Sequence, residues 1–327
     1  MRPGPGPEPE PREPEREPER ERERERERRT LGTVLLLTNP QAGAGKAAQA
    51  AGVAAGRLRE RGIEVRTAAG TDPADAVRIA REAVAEGVDA VVVAGGDGMI
   101  ALAVQALART GVPLGVVPSG TGNDLARAFG LPLGDPRAAA DVIAAGLVRQ
   151  VDTGRIVTAD GAGRYFASVL AIGFDSLVSD RANRMSWPRG RMKYNLAMLR
   201  ELAGLRPLPF RLVLDGRETV ERRLTLASVG NTRSYGGGML ICPDADPGDG
   251  RLDVTLVDAM PRAKLVRFFP TVFKGTHVRH SAVATHRVTA LRIESPGINA
   301  YADGDLAGPL PADIAVVPRS LSLLVPS

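Results

Sequence analysis

Two short apolar runs, Ala90-Val91-Val92-Val93 and Gly115-Val116-Val117, each lead into a glycine-rich loop and then into helical spacing. The first loop is Gly95-Gly96-Asp97-Gly98 and the second is Pro118-Ser119-Gly120-Thr121-Gly122-Asn123-Asp124. Strand, glycine turn and helix, repeated, commit the chain to a parallel sheet, because parallel neighbours need a crossover between them. The same turn lets backbone N–H groups approach a phosphate, and the helix behind it adds partial positive charge. As plain connections, the five glycines of these loops would each cost about 0.5–1 kcal/mol of ordering relative to alanine. The pair predicts a nucleotide-binding cleft, and the polar residues Ser119, Thr121, Asn123 and Asp124 strengthen that reading.

The alternation extends over residues 33–147. Thr33 to Leu37 reads as a buried strand, and an alanine-rich helix follows to about Arg61. Ile63 to Val65 is a second strand, and Pro73 opens a helix with Val77, Ala80 and Val84 on one face. The pattern predicts an α/β, doubly wound parallel sheet covered on both faces, with ligands at the carboxyl ends of its strands. Beyond residue 148 the texture becomes short β-prone stretches separated by turns, which predicts a mainly antiparallel β-sandwich domain. The domains expected are 31–148 and 149–327. Two helices are expected within the second, at about 190–203 and at Arg262 to Phe273, where Leu265, Val266, Phe269 and Phe273 recur at helical spacing; both are read as core-facing, with an apolar entry path for lipid as the alternative.

Residues 1–29 hold nine Arg and ten Glu among prolines and glycines. With no apolar face to bury, this tail, taken as residues 1–30, is expected to be disordered and dispensable for catalysis. The positive surplus therefore lies in the body of the 327-residue chain, whose formal net charge is +5. That surplus suits ATP or an anionic membrane surface. No aromatic-and-basic cluster of the nucleic-acid type is present, so no nucleic-acid partner is expected. The single Cys242 excludes an intrachain disulfide framework and fits a reducing compartment. No apolar run approaches the roughly 20 residues of a membrane span, and no signal region precedes the body. The expected location is cytoplasmic, peripheral at the inner membrane surface.

A carboxylate inside an anion-binding loop repels phosphate unless it holds a cation or a proton, so Asp97 points to Mg²⁺ chemistry, with a turn aspartate as the alternative. Lys46, after Asn39-Pro40-Gln41-Ala42-Gly43-Ala44-Gly45, could meet a phosphate or stand solvated. Asp75 reads best as part of a helix start, Thr71-Asp72-Pro73-Ala74-Asp75. Asp244, Asp246 and Asp249 form one distant acidic cluster and Asp303 with Asp305 another. Either could be solvated turns, or could supply the base and metal ligands of a phosphoryl transfer.

In this order the motifs resemble the lipid kinase superfamily with the diacylglycerol kinase catalytic domain, which includes sphingosine and ceramide kinases. The resemblance spans residues 32–327 and is nearest to soluble bacterial diacylglycerol kinases. It implies an ATP-binding domain, a β-sandwich, and catalysis in the cleft between them. Carried over by motif, Asn39, Pro40, Gln41, Ala42, Gly43, Thr71, Gly95, Gly96, Asp97, Gly98, Gly120, Thr121, Gly122 and Asn123 would line the ATP site. Asp97 would join the network around Mg²⁺. Asp249, with main-chain carbonyls of Asp246 and Arg251, would match a second metal site. Asp303 would be the base, with Asp305 close enough to compete for that role.

The chain departs from the family pattern at Met99, where Thr is usual, and at Leu102, where Glu is usual. Ala42 replaces a common Ser, and Asp305 a usual Glu. Lost polar contacts of about 1–3 kcal/mol each would weaken ATP binding or silence the enzyme. Asp97, Asp249 and Asp303 all remain. The expected reaction is transfer of the γ-phosphoryl group of ATP to a lipid hydroxyl, that of diacylglycerol foremost, giving phosphatidic acid. An NAD kinase-like enzyme shares the first glycine-aspartate loop but not the Gly-Thr-Gly-Asn-Asp loop, and a non-catalytic nucleotide or lipid sensor is the other rival. Homodimerisation through an exposed strand edge is left open.

Overall fold

The computed structural model describes residues 26–39, 45–185, 187, 196–197, 200–201, 204 and 206–327. The expected tail to residue 25, the candidates Pro40, Gln41, Ala42 and Gly43, and most of the helix expected at 190–203 lie outside the described residues.

The first part runs β1 (Arg26–Arg28), β2 (Thr33–Thr38), α1 (Lys46–Glu60), β3 (Glu64–Ala69), α2 (Pro73–Ala85) and β4 (Ala90–Gly95). It continues through α3 (Asp97–Leu107), β5 (Leu114–Pro118), α4 (Asp124–Ala128), α5 (Pro136–Ala144) and β6 (Leu147–Thr158). Strands β3, β2, β4 and β5 lie side by side in that order, all parallel. Period-two alternation decides which helices cover which face. Leu35, Leu37, Val91 and Val93 meet α2 and α3 on one side, while Val34, Leu36, Val92 and Ala94 meet α1 and α5 on the other. The sheet is doubly wound, and its strand order reverses between β2 and β4. Ligands of such sheets enter the crevice at this reversal, and Asn39 and the Gly95–Gly98 loop leave the two strands that flank it.

The second part comprises β7 (Gly163–Phe166), β8 (Val169–Gly173), α6 (Phe174–Arg184), β9 (Leu208–Leu214), β10 (Glu218–Gly230) and β11 (Leu252–Asp258). It ends with α7 (Arg262–Phe273), β12 (Val283–Val288), β13 (Ala290–Glu294), β14 (Asn299–Ala302), β15 (Asp305–Pro309) and β16 (Ala312–Leu324). Its strands pair antiparallel with one another. They enclose a core that includes Leu170, Ile172, Leu212, Val254, Ile293 and Ile314.

Three sequence expectations need correction. The described end of the expected tail is paired rather than disordered: β1 pairs with β6, and the Arg29 backbone N–H donates to Gly146 O at 2.7 Å. A sheet edge supplies backbone partners there, and a segment without an apolar face can use them. The division at 148 and 149 fails at the far end, because β16 returns to the first domain. Leu323 pairs in parallel with Leu114, and Leu321, Leu323 and Val325 belong to the first domain's core. Finally, α7 buries Leu265, Phe268 and Val272, while Val266 and Phe273 point outward at 54% and 50% exposure. The helix carries two apolar stripes, and periodicity alone could not say which one packs.

Candidate active site

Because β4 and β5 are adjacent and in register, Gly95 opposite Pro118, their two loops emerge together. The loops touch through backbone: a Cβ on Gly120 would lie 2.4 Å from Gly96 Cα, so neither position tolerates a side chain. Ser119 N–H donates to Gly95 O at 2.9 Å. Asn123, in the left-handed region at φ 54, folds its amide back onto Gly120, accepting from its N–H at 3.0 Å and donating to its O at 2.9 Å.

Asp97 ties the two loops together. Its carboxylate accepts from Asn123 N–H at 2.8 Å and Asp124 N–H at 2.7 Å, so one loop's acid caps the other loop's helix. A Cβ on Gly122 would sit 2.4 Å from the Asp97 carboxylate, which explains the second glycine of that loop. Gly98 and Thr121 are exposed at the rim. Thr71 lies at the start of α2, its hydroxyl and N–H both donating to Asp75, so Asp75 performs the structural role read from the sequence. Asn39 directly follows β2 beside the crevice, and Lys46 is exposed at the first position of α1.

Met99 and Leu102 face the first domain's core rather than the loops. Met99 is 5% exposed and packs under Gly95, where a Cβ would lie 2.7 Å from its own. Leu102 packs against the same core.

Asp303 and Asp305 separate clearly. A two-residue Asp303-Gly304 turn joins β14 to β15, with φ 51 and 88, the left-handed pair that such a hairpin demands. The turn presents the Asp303 carboxylate to three backbone N–H groups, of Ala167 at 2.8 Å, Ser168 at 2.8 Å and Val169 at 3.2 Å. Burial pushes its carboxyl up to about 6, the Asp97 charge adding to the rise and the three N–H donors opposing it. Asp305 instead pairs with Arg164 at 2.7 Å.

Asp124, given no role of its own from the sequence, is 7% exposed and bridges the domains. Its carboxylate accepts from Gly237 N–H at 2.9 Å and from Gly238 N–H at 3.2 Å. Burial, with the Asp97 charge, pushes it up to about 6. Tyr235, which begins that glycine run, donates its hydroxyl to Asp175 of α6. The run Tyr235-Gly-Gly-Gly-Met239 was the available signal, a glycine cluster that the phosphate-loop reading left unused.

Asp97, Asp124 and Asp303 form no ion pair among the described residues, and the Asp97 charge bears on both of the others. Carboxylates without a cationic partner suit a hard cation, even with backbone N–H donors on their oxygens. No group of three or more acidic, His or Cys side chains among the described residues is placed to hold a metal unaided. A Mg²⁺ ion bound mainly through phosphate oxygens and waters, its usual mode, would need only one or two of these carboxylates. The second cluster is engaged differently: Asp249 accepts from Arg251 N–H at 2.9 Å and pairs with Arg287. Asp246 accepts from Gly248 N–H at 3.2 Å and lies 3.6 Å from Arg149.

Residues 33–156 match the diacylglycerol kinase catalytic domain, and residues 168–325 match the YegS C-terminal NAD kinase beta sandwich-like domain. A diacylglycerol kinase of Mycobacterium tuberculosis is 55% identical over 296 residues, covering 90% of this chain and 96% of the relative. The chain belongs to the diacylglycerol kinase family. A diacylglycerol kinase of Bacillus subtilis is 29% identical over 274 residues, covering 83% of this chain and 88% of its own. Among solved structures, a diacylglycerol kinase from Bacillus anthracis shares the fold at a TM-score of 0.68 and 20% identity, over 91% of this chain and 98% of that one. The family resemblance drawn from the motifs is borne out, and the kinase-type lipid phosphotransferase class with it.

Proposed function

We propose that this protein transfers the γ-phosphoryl group of ATP to the free hydroxyl of diacylglycerol, giving phosphatidic acid and ADP. The observation that carries this reading is the convergence of Asp303 from the second domain on the joined glycine loops of the first. The glycine loops Gly95 to Gly98 and Gly120 to Asn123, with Asn39 and Thr71 at the flanks, receive the nucleotide. Asp303 takes the proton of the lipid hydroxyl as that oxygen bonds to the γ-phosphorus and the bond to the ADP oxygen breaks. Asp305, neutralised by Arg164, serves as a support for the hairpin. Mg²⁺, held through Asp97 and the phosphates, would supply neutralisation of the charge on the transferring group.

Diacylglycerol remains in the bilayer, since its chains hold it there at about 0.8 kcal/mol per buried CH₂. The protein must therefore work at a membrane surface. No described helix is long and apolar enough to cross a membrane. Transfer of labelled γ-phosphate from ATP into a panel of diacylglycerol, sphingosine, ceramide, undecaprenol and NAD tests the reading. Label in diacylglycerol is expected; ATP binding without label in any lipid overturns it.

A further inference from the structure

We propose that the outer face of α7 is the surface by which this protein docks on an anionic bilayer, beside the opening of its phosphate loops; the proposal rests on the lipid-kinase reading above. The inner stripe of α7, Leu265, Phe268 and Val272, packs on a core that includes Phe174, Leu226, Ile241 and Val257. Its outer stripe is also apolar. Val266 and Phe273 are 54% and 50% exposed, Pro270 lies exposed between them, and the half-buried Phe269 meets Phe273 edge-on with ring centres 5.7 Å apart. The spacing i, i+4, i+7 aligns Val266, Pro270 and Phe273 on one ridge.

The charges carried by α7 and by the residue after it have one sign. Arg262, Lys264, Arg267 and Lys274 are all exposed, and α7 contains no acidic residue. None of the four makes an ion pair or a side-chain hydrogen bond among the described residues. Several arginines elsewhere are matched: Arg57 and Arg61 share Asp141, Arg78 pairs with Asp75 and Glu82, and Arg137 pairs with Glu60. An aromatic ridge edged with unmatched cations is the composition of a helix that lies in a lipid headgroup layer. A second copy of the chain is a poor occupant. A two-fold contact would set the same four cations against themselves.

The position of the ridge suits the reaction. Val272 O accepts from Leu240 N–H at 3.1 Å. From Leu240 the chain runs back through the Tyr235–Met239 hairpin, closed by backbone bonds of 3.1 and 3.0 Å, to Gly237 and Gly238 on the Asp124 carboxylate. The end of the docking face is thus one short hairpin from α4 and the second glycine loop. A bilayer on this face lies beside the loops that hold the triphosphate.

Sedimentation of the full chain with vesicles of phosphatidylglycerol and phosphatidylcholine, against phosphatidylcholine alone, tests the proposal. The triple change Arg262→Gln, Lys264→Gln, Arg267→Gln should lower partition onto the anionic vesicles roughly a hundredfold. Phe273→Ser should lower it about tenfold on the same vesicles. Both variants should phosphorylate a water-dispersed short-chain diacylglycerol as the parent does and keep its melting temperature. Anionic-vesicle binding that survives both changes overturns the docking surface, whatever the kinase assay gives. So does a parent dimer that the triple change dissociates, which would make this face a contact between copies. Loss of vesicle binding in a protein whose parent labels no lipid supports the surface and overturns only the kinase reading.

Discussion

Asp303 and Asp305 share one hairpin but differ in what surrounds their carboxylates. Three N–H groups orient Asp303 while burial lifts it to about 6, so at neutral pH it is an oriented carboxylate able to take a proton. Asp305 is committed to Arg164. Asp303→Asn should therefore reduce kcat by about 10²–10⁴-fold with the fold retained, as for the loss of a general base. Asp305→Asn should stay within about tenfold of the parent, the range of a partly exposed ion pair. Steady-state assays of the two variants, with thermal unfolding as the control for folding, check both. The pH profile carries a sign as well. The base is active only as carboxylate, so kcat should be level above about pH 6 and fall about tenfold per unit below it. A profile flat from pH 7 to pH 5 would remove Asp303 from that role.

The strand–loop–helix units were legible in the sequence because their signals are local: β-branched runs, glycines at turns, and 3.6-residue spacing after them. The contact between the loops was not, since Gly96 meets Gly120 only once β4 and β5 are neighbours. Gly120→Ala should force the loops apart, because its Cβ would fall 2.4 Å from backbone that cannot yield. A loss of roughly 1–3 kcal/mol is expected, read by denaturant unfolding, together with weaker nucleotide binding by calorimetry. The role of Met99 was also hidden, since a motif position says nothing of which way a helix turns its side chain. At 5% exposure it belongs to the core of α3, so Met99→Thr, which brings back the residue usual in the family, should destabilise. The expected cost is about 2–3 kcal/mol, from lost packing and a buried hydroxyl, measured by denaturant unfolding. A more stable or more active Met99→Thr would show that the position faces the nucleotide instead.

At the scale of the whole molecule, β6 and β16 run antiparallel through both domains, interrupted where the register shifts between Val317 and Leu321. Ile156 and Ile314 serve the β-sandwich core, whereas Val151, Leu321 and Leu323 serve the core of the parallel sheet. The sequence concealed this because Leu321-Ser-Leu-Leu-Val325 has the same period-two texture as the sandwich strands before it; only the partner strand assigns it to the first domain. The nucleotide domain is consequently incomplete without the end of the chain. Leu321, Leu323 and Leu324 are fully buried and Val325 is 3% exposed. At about 1.5–3 kcal/mol for each fully buried side chain they contribute roughly 6–12 kcal/mol together, as much as the entire net stability of an ordinary domain, about 5–15 kcal/mol. A fragment of residues 26–158 should therefore lack a cooperative thermal transition and be cleaved rapidly by protease. The full chain cut after Arg319 should lose nucleotide binding, although every glycine-loop residue is intact. A fragment 26–158 that melts cooperatively near the temperature of the parent would mean that the four-stranded parallel sheet is self-sufficient and that β16 merely tethers the second domain.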